Sequence, residues 1–98
     1  MTLSPELLAV LSDLGFPDTE AFIREQLQKE LNIKITNYQR QIKSFEEKYG
    51  CDWDTFRQQQ LAPTAPENFS HWDDSIEWEW AVSSLSYYQE RLNWLEDA

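Results

Sequence analysis

The chain has 98 residues, 41% hydrophobic and 14% aromatic, which is enough for one folded domain and excludes an intrinsically disordered chain. Eighteen acidic residues against eight lysines and arginines give a net charge of −10, which argues against a surface that binds DNA or RNA throughout. Cys51 is the only cysteine, and the sequence has no signal peptide and no apolar run of membrane-spanning length, so we expect a cytoplasmic protein without a membrane segment.

The first predicted helix is short and covers residues 5–14. Ser4 is a suitable N-cap, Pro5 fits the first helical position, and Gly15 is a suitable stop. We expect the inner face of this helix to consist of four leucines: Leu7, Leu8, Leu11 and Leu14.

The second predicted helix is long and covers residues 19–49, because no glycine or proline interrupts it before Gly50. Three glutamates precede a lysine or arginine by four positions, which favours a helix locally. From Leu31 onward its apolar residues alternate in steps of four and three, the spacing of a helix that packs lengthwise against another helix. The β-branched stretch NIKIT at 32–36 leaves a kink or an irregular turn open.

A short third helix and a long loop follow. The third helix is predicted at residues 53–60, with Asp52 as its cap. The loop is predicted at residues 61–72, because Pro63 and Pro66 forbid a continuous helix there and favour an extended course.

The last predicted helix covers residues 74–96, with Asp73 or Asp74 as its cap. Its heptad stripe has the same spacing as that of the second helix, so we expect the two helices to pack in antiparallel directions. The stripe consists of Trp78, Ala81, Leu85, Tyr88, Leu92 and Leu95. The predicted fold is therefore a single all-α domain: a long antiparallel helical hairpin with two additional short helices, which a dimer completes as a bundle.

The last helix also carries aromatic residues outside that stripe. If Trp78 and Leu85 of the stripe are heptad position a, then three other rings share position c, about 200° away, and cannot belong to the same stripe: Trp80, Tyr87 and Trp94. Two interpretations stay open. Either other parts of this chain cover the rings, or the rings contact another chain, because Trp and Tyr contribute much of the binding energy at interfaces.

An acidic segment precedes these rings. Residues 67–79 contain five acidic residues and neither lysine nor arginine. These acids form either an ordinary solvated helix start or a segment that attracts a basic patch on a partner. The candidate partner-binding residues are Trp72, Glu77, Glu79, Trp80, Tyr87 and Trp94.

The sequence has few residues from which a catalytic or metal site is built. His71 is the only histidine, so one chain can form neither a paired-histidine metal site nor a di-iron site with two Glu-x-x-His motifs. Cys51 has no basic neighbour that would activate it as a nucleophile. Both glycines serve as helix stops, which leaves none for a phosphate-binding loop. We therefore expect no enzyme activity, no cofactor and no metal.

Residues 3–31, LSPELLAVLSDLGFPDTEAFIREQLQKEL, resemble the helix, turn and helix of ribbon-helix-helix proteins. The shared pattern is a Pro-Glu-Leu-Leu helix, a Leu-Gly-aromatic turn and the run Glu-x-Phe-Ile-Arg-Glu. The matching residues are Pro5, Glu6, Leu7, Leu8, Leu14, Gly15, Phe16, Glu20, Phe22, Ile23, Arg24 and Glu25. The resemblance implies a transcriptional regulator that reads DNA with a strand ahead of the first helix. Only three residues precede Ser4 in this sequence, so we do not expect DNA reading by such a strand.

Residues 38–95 resemble small antitoxin-like proteins of prokaryotic toxin–antitoxin pairs, through FEEKYGCDWDTF and WDDSIEWEWAVSSLSYYQERLNWL. The matching residues are Phe45, Lys48, Tyr49, Gly50, Trp53, Phe56, Asp73, Asp74, Glu79, Trp80, Ala81, Tyr88, Arg91 and Leu92. This resemblance implies an all-helical protein that binds and neutralises a partner made from the adjacent gene.

The functional hypothesis is a non-catalytic protein-binding module of antitoxin-like type. It forms a homodimer and neutralises a cognate toxin protein through its acidic loop and its aromatic last helix. The alternatives are a ribbon-helix-helix-like transcriptional regulator and a purely structural homo-oligomer, and the acidic charge argues against DNA as a partner.

Overall fold

The computed structural model describes residues 3–61 and 69–97. Across these residues the chain forms four α-helices and no strand: α1 (Pro5–Asp13), α2 (Thr19–Tyr49), α3 (Trp53–Leu61) and α4 (Phe69–Asp97). The predicted all-α class is thereby confirmed. None of these helices is both long and apolar enough to cross a membrane.

Polar side chains stabilise the starts of the first three helices. The Ser4 hydroxyl accepts a hydrogen bond from the backbone N–H three residues later at 3.2 Å, and the carboxylates of Asp18 and Asp52 do the same at 2.8 Å. Each bond satisfies an N–H that has no partner within its own helix, which is worth about 1 kcal/mol.

Glycines in the left-handed conformation end α1 and α2, with φ of 87° at Gly15 and 69° at Gly50. After α1, the N–H groups of Gly15 and Phe16 donate to the carbonyls of Ser12 and Leu11, which is a Schellman motif. A residue with a Cβ atom is strained at this φ, so glycine allows the chain to leave each helix at these points.

The α2 helix is continuous, including the NIKIT stretch at 32–36, and packs lengthwise against α4. Tyr38 stacks on Tyr88 with ring centroids 5.8 Å apart, and Phe45 stacks on Trp78 at 5.5 Å. The later residue of α2 therefore contacts the earlier residue of α4. These rings belong to the two heptad patterns read from the sequence, so the patterns identify the faces that meet.

The core lies where α3 covers one end of the α2–α4 pair. Phe45, Phe56 and Trp78 form a buried cluster, in which Phe56 is 2% exposed and Trp78 is fully enclosed. Tyr49 and Trp53 pack against this cluster from α2 and α3. Aromatic side chains bury large areas, so five rings at one corner provide much of the apolar burial that holds three helices together.

The last helix begins at Phe69, five residues earlier than predicted. Of the two acids predicted as caps, Asp74 instead accepts hydrogen bonds from the Lys48 ammonium and the Tyr49 hydroxyl at the end of α2. Glu77 and Glu79 lie on α4, where the predicted helix also places them. Of the predicted loop at 61–72, residue 61 lies on α3 and residues 69–72 lie on α4, whereas residues 62–68, with Glu67 among them, lie outside the described part of the chain.

The molecule is elongated, with dimensions of 67 × 23 × 23 Å and a radius of gyration of 20.4 Å. A compact domain of this length has a radius of gyration of about 13 Å. The predicted inner face of α1 is wrong for three of its four leucines: Leu7, Leu8 and Leu14 are at least half exposed, Leu11 is half-buried, and no residue of α1 is fully buried. A helix of nine residues that rests mainly on α2 covers only part of its apolar side.

Candidate partner-binding surface

Helix α4 presents two different faces. One face carries Trp78 and Ala81, which are fully buried against the rest of the chain. The other carries five large apolar side chains that are each at least half exposed, and we call them the outer stripe: Trp72, Ile76, Trp80, Tyr87 and Trp94. Their spacings of four and seven residues place them along one side of the helix.

The exposure of the outer stripe bears on the two interpretations of its rings. Trp80 is 66% exposed and Trp94 is 56% exposed, so in the described part of the chain other elements do not cover them. Trp72, which the sequence places in a loop, is on α4 and is 67% exposed. These rings add little to the core of a single chain and remain available for contact with another one.

Arg91 is part of this surface, and the sequence reasoning did not select it. Its guanidinium carbon lies 4.4 Å from the centroid of the Tyr87 ring and 3.8 Å from that of the Trp94 ring. A guanidinium held between two aromatic faces gains cation–π attraction and loses side-chain freedom before any partner arrives. The sequence indicates this contact, because Arg91 follows Tyr87 by four residues and precedes Trp94 by three, and residues at these spacings are neighbours on a helix surface.

The predicted acidic residues lie beside the stripe. Glu77 and Glu79 are exposed on α4, about 60° to one side of Trp80 and about 100° to the other. Neither carboxylate has a lysine or arginine within ion-pair distance among the described residues. All six predicted partner-binding residues are therefore exposed on one helix.

Contacts at the start of α4 position the stripe relative to α2. The hydrogen bonds from Lys48 and Tyr49 hold the pKa of Asp74 below its ordinary value. Burial and the hydrogen bond to Asp74 raise the pKa of the Tyr49 hydroxyl. His71, which the sequence places in a loop, lies on α4 with its ring edge-on to Tyr49 at 5.2 Å. Trp72 and Ile76 thus project from a helix start that is attached to α2.

Residues that could support chemistry are dispersed. In the described ranges, no three His, Cys, Asp or Glu side chains are grouped so that they could hold a metal ion. Cys51 is half-buried against the aromatic core cluster. The Nδ1 atom of His71 and the Nε1 atom of Trp78 are buried and find no partner among these residues.

A comparison with models of known protein families, with characterised proteins and with solved structures gives no match. The resemblances to antitoxin-like and ribbon-helix-helix proteins therefore stay predictions from the sequence.

Proposed function

We propose that this protein is a non-catalytic, antitoxin-like binding module that captures and neutralises a basic protein partner along the outer stripe of α4. The observation that carries this proposal is the exposure of the stripe itself. Three tryptophans, a tyrosine and an isoleucine are at least half exposed along one helix. Tryptophan, tyrosine and arginine are the residues that dominate binding energy at protein interfaces, and this surface contains all three.

The charge of α4 supports a basic protein as the partner. Between Phe69 and Asp97 the helix carries seven acidic residues and one arginine. A second α4 on the same face would bring like charges together, and so would a nucleic acid. A partner with lysines and arginines around an apolar strip would instead meet opposite charge at the rim and aromatic rings at the centre.

The wider architecture belongs to the same proposal. We infer that α2 and α4 form an antiparallel hairpin that presents the stripe on a rigid scaffold, and that the protein acts as a homodimer in the cytoplasm. The stacked pairs Tyr38–Tyr88 and Phe45–Trp78 support the hairpin, and a lone cysteine is typical of a reducing compartment. The resemblance of residues 38–95 to antitoxin-like proteins supports a toxin as the partner.

Co-expression with the products of the flanking genes tests the proposal. We expect one product to co-elute with this protein in size-exclusion chromatography with light scattering, and its activity to be suppressed in the complex. Replacing Trp80 and Trp94 by alanine should weaken that complex at least about 100-fold, since each ring is an expected hot spot. Far-UV circular dichroism should show unchanged helicity in the variant.

A matched control is available on the same helix. Gln89 and Asn93 are exposed and lie away from the stripe, so replacing both by alanine should leave the complex intact. Equal weakening by the two double variants would contradict the proposal. Binding to promoter DNA that weakens steeply with salt, without a protein partner, would favour the regulator instead.

A further inference from the structure

The largest apolar surface outside α4 lies at the opposite end of the chain. We call residues 5–29, which comprise α1, the turn after it and the start of α2, the N-terminal arm. Six of its apolar side chains are between 46% and 66% exposed: Leu7, Leu8, Val10, Leu14, Ile23 and Leu27. The α1 helix contributes no buried residue at all.

The arm is exposed because α4 is too short to reach it. Tyr88 of α4 stacks on Tyr38 of α2, and α4 ends at Asp97, nine residues further on. In the opposite direction along α2, nine residues lead from Tyr38 only to about residue 29. The exposure of α2 side chains changes at this point: Leu31 is half-buried, whereas Leu27 is exposed. Beyond it, α1 and α2 form a layer of two helices, and no third helix of residues 3–61 and 69–97 lies on this layer.

We propose that the N-terminal arm is the interface between two copies of this chain, in which two arms of two helices each combine into a four-helix cluster. A layer of two helices can bury only its facing sides, whereas four helices enclose a core. This proposal rests on the homodimer of the proposed function and does not depend on which protein the outer stripe binds.

The apolar side of α1 has a greater need of a constantly bound partner than the outer stripe of α4 has. A helix of nine residues is marginal in water unless its apolar side packs on something. Within the arm, Phe16 meets Phe22 edge-on at 5.2 Å, which connects the turn after α1 to α2 and leaves Leu7 and Leu8 of α1 exposed. A second copy is always present where this chain is made, so it can provide that cover from the time of folding.

The chain exposes more surface than a compact monomer of its mass. Its accessible surface is 7621 Å², whereas a folded monomer of 11.7 kDa exposes about 5,900 Å². The excess of roughly 1,700 Å² is spread over the whole elongated chain, outer stripe included, and an obligate homodimer buries about 1,000 to 2,500 Å² of such surface on each partner.

The chemistry of the arm distinguishes it from the outer stripe. Its six exposed apolar residues are all aliphatic, as in obligate homodimer interfaces that resemble a domain core cut in half. Glu20 pairs with Arg24 and Glu25 with Lys29, each at 3.3 Å within α2. Two of the arm's acids are thus neutralised locally, so two arms can approach with less repulsion than two copies of α4.

Light scattering after size exclusion provides the first test. We expect the wild-type chain to elute at twice its mass of 11.7 kDa. Replacing Leu8 and Leu27 by glutamine should raise the dissociation constant of the dimer at least about 100-fold, because each substitution removes apolar burial in both copies. The double variant Trp80→Ala and Trp94→Ala is the matched control and should stay dimeric.

Hydrogen exchange of the wild-type chain provides a test that needs no variant. Raising the concentration from about 1 µM to about 200 µM should increase protection at the amides of α1 and of the first turns of α2. A wild-type monomer at the higher concentration, a dimer that the arm substitutions leave intact, or protection gained on α4 in place of the arm would each overturn the proposal. Stripe variants that lose partner binding and remain dimeric would support the outer stripe as the partner-binding surface and the arm as the separate dimer interface.

Discussion

At the scale of single residues, Trp78 and Trp80 have opposite surroundings although only one residue separates them. Trp78 is fully buried among Phe45, Tyr49 and Phe56, and Trp80 is 66% exposed. Residues i and i+2 of an α-helix point about 200° apart around its axis. Because Trp78 faces α2, Trp80 therefore lies on the opposite side of α4. The heptad pattern therefore assigned Trp78 to the packed face and placed Trp80 on the opposite side of the helix, and it left open whether other parts of the chain cover Trp80.

This contrast predicts very different effects of the same substitution. Trp78→Ala should lower the free energy of unfolding by about 3–5 kcal/mol, because it empties a filled site in the aromatic core. Trp80→Ala should change it by less than about 0.5 kcal/mol, because its ring is largely in water in both states. Urea unfolding of both variants, followed by far-UV circular dichroism, measures the difference. Similar losses of stability would show that Trp80 belongs to the core.

Other residues of the site could not be assigned so directly. Arg91 joins the surface through its stacking on Tyr87 and Trp94, and sequence spacing indicates only that the three share a helix face. Which rotamer the arginine adopts depends on where these two rings lie. Exposed leucines in α1 were predicted as an inner face, because an apolar stripe shows which side avoids water and not whether anything is there to cover it.

At the scale of helices, the start of α4 shows the limit of reading caps from a sequence. Two consecutive aspartates before an aromatic run are a typical N-terminal signal. In the structure the helix already includes both, and Asp74 bonds to Lys48 and Tyr49 across the interface with α2. A capping aspartate and one that connects two helices have the same local sequence, and only the alignment of α2 with α4 distinguishes them.

This connection makes the stability of the fold depend on acid pH in a defined direction. The pKa of Asp74 is lowered in the folded chain by hydrogen bonds from Lys48 and Tyr49, so the ionised carboxylate stabilises the fold. That contribution is complete above the ordinary aspartate pKa of about 4 and is lost as the pH falls through the lowered value. Asp74→Asn should therefore cost about 1 kcal/mol at neutral pH and nothing in strong acid.

Unfolding curves of the wild type and the variant across acid and neutral pH test this dependence. Asp73→Asn is the matched control, because Asp73 is exposed on the same helix turn and has no hydrogen bond to α2 among the described residues. A difference between Asp74→Asn and the wild type that stays constant from neutral pH into strong acid would contradict the role of the ionised carboxylate.

At the scale of the whole molecule, the sequence predicted which helix faces meet and left their longitudinal alignment undetermined. Heptads repeat along both helices, so several alignments of α2 and α4 bury similar residues. The aromatic corner of Phe45, Phe56 and Trp78 selects one of them, because α3 and α4 can both reach it. That choice leaves the start of α2 beyond the end of α4, and the molecule becomes 67 Å long.

The two proposed associations should respond to salt in opposite ways. Each chain has a net charge of −10, so two copies repel one another at long range even when their arms match. A basic partner is instead attracted to the acids of α4. Raising the ionic strength from about 20 mM to about 200 mM screens both effects, so the homodimer should tighten a few-fold while association with the partner slows about tenfold.

Stopped-flow fluorescence of the outer-stripe tryptophans would give the association rate with the partner, and sedimentation equilibrium would give the dimer constant under the same conditions. The arm interface is aliphatic at its centre, so salt acts on it only through the net charge of the two chains. The interface on α4 has acids at its edge, so salt acts on the encounter itself. If both associations weakened with salt, the self-association would be driven by opposite charges, and the aliphatic arm could not be its interface.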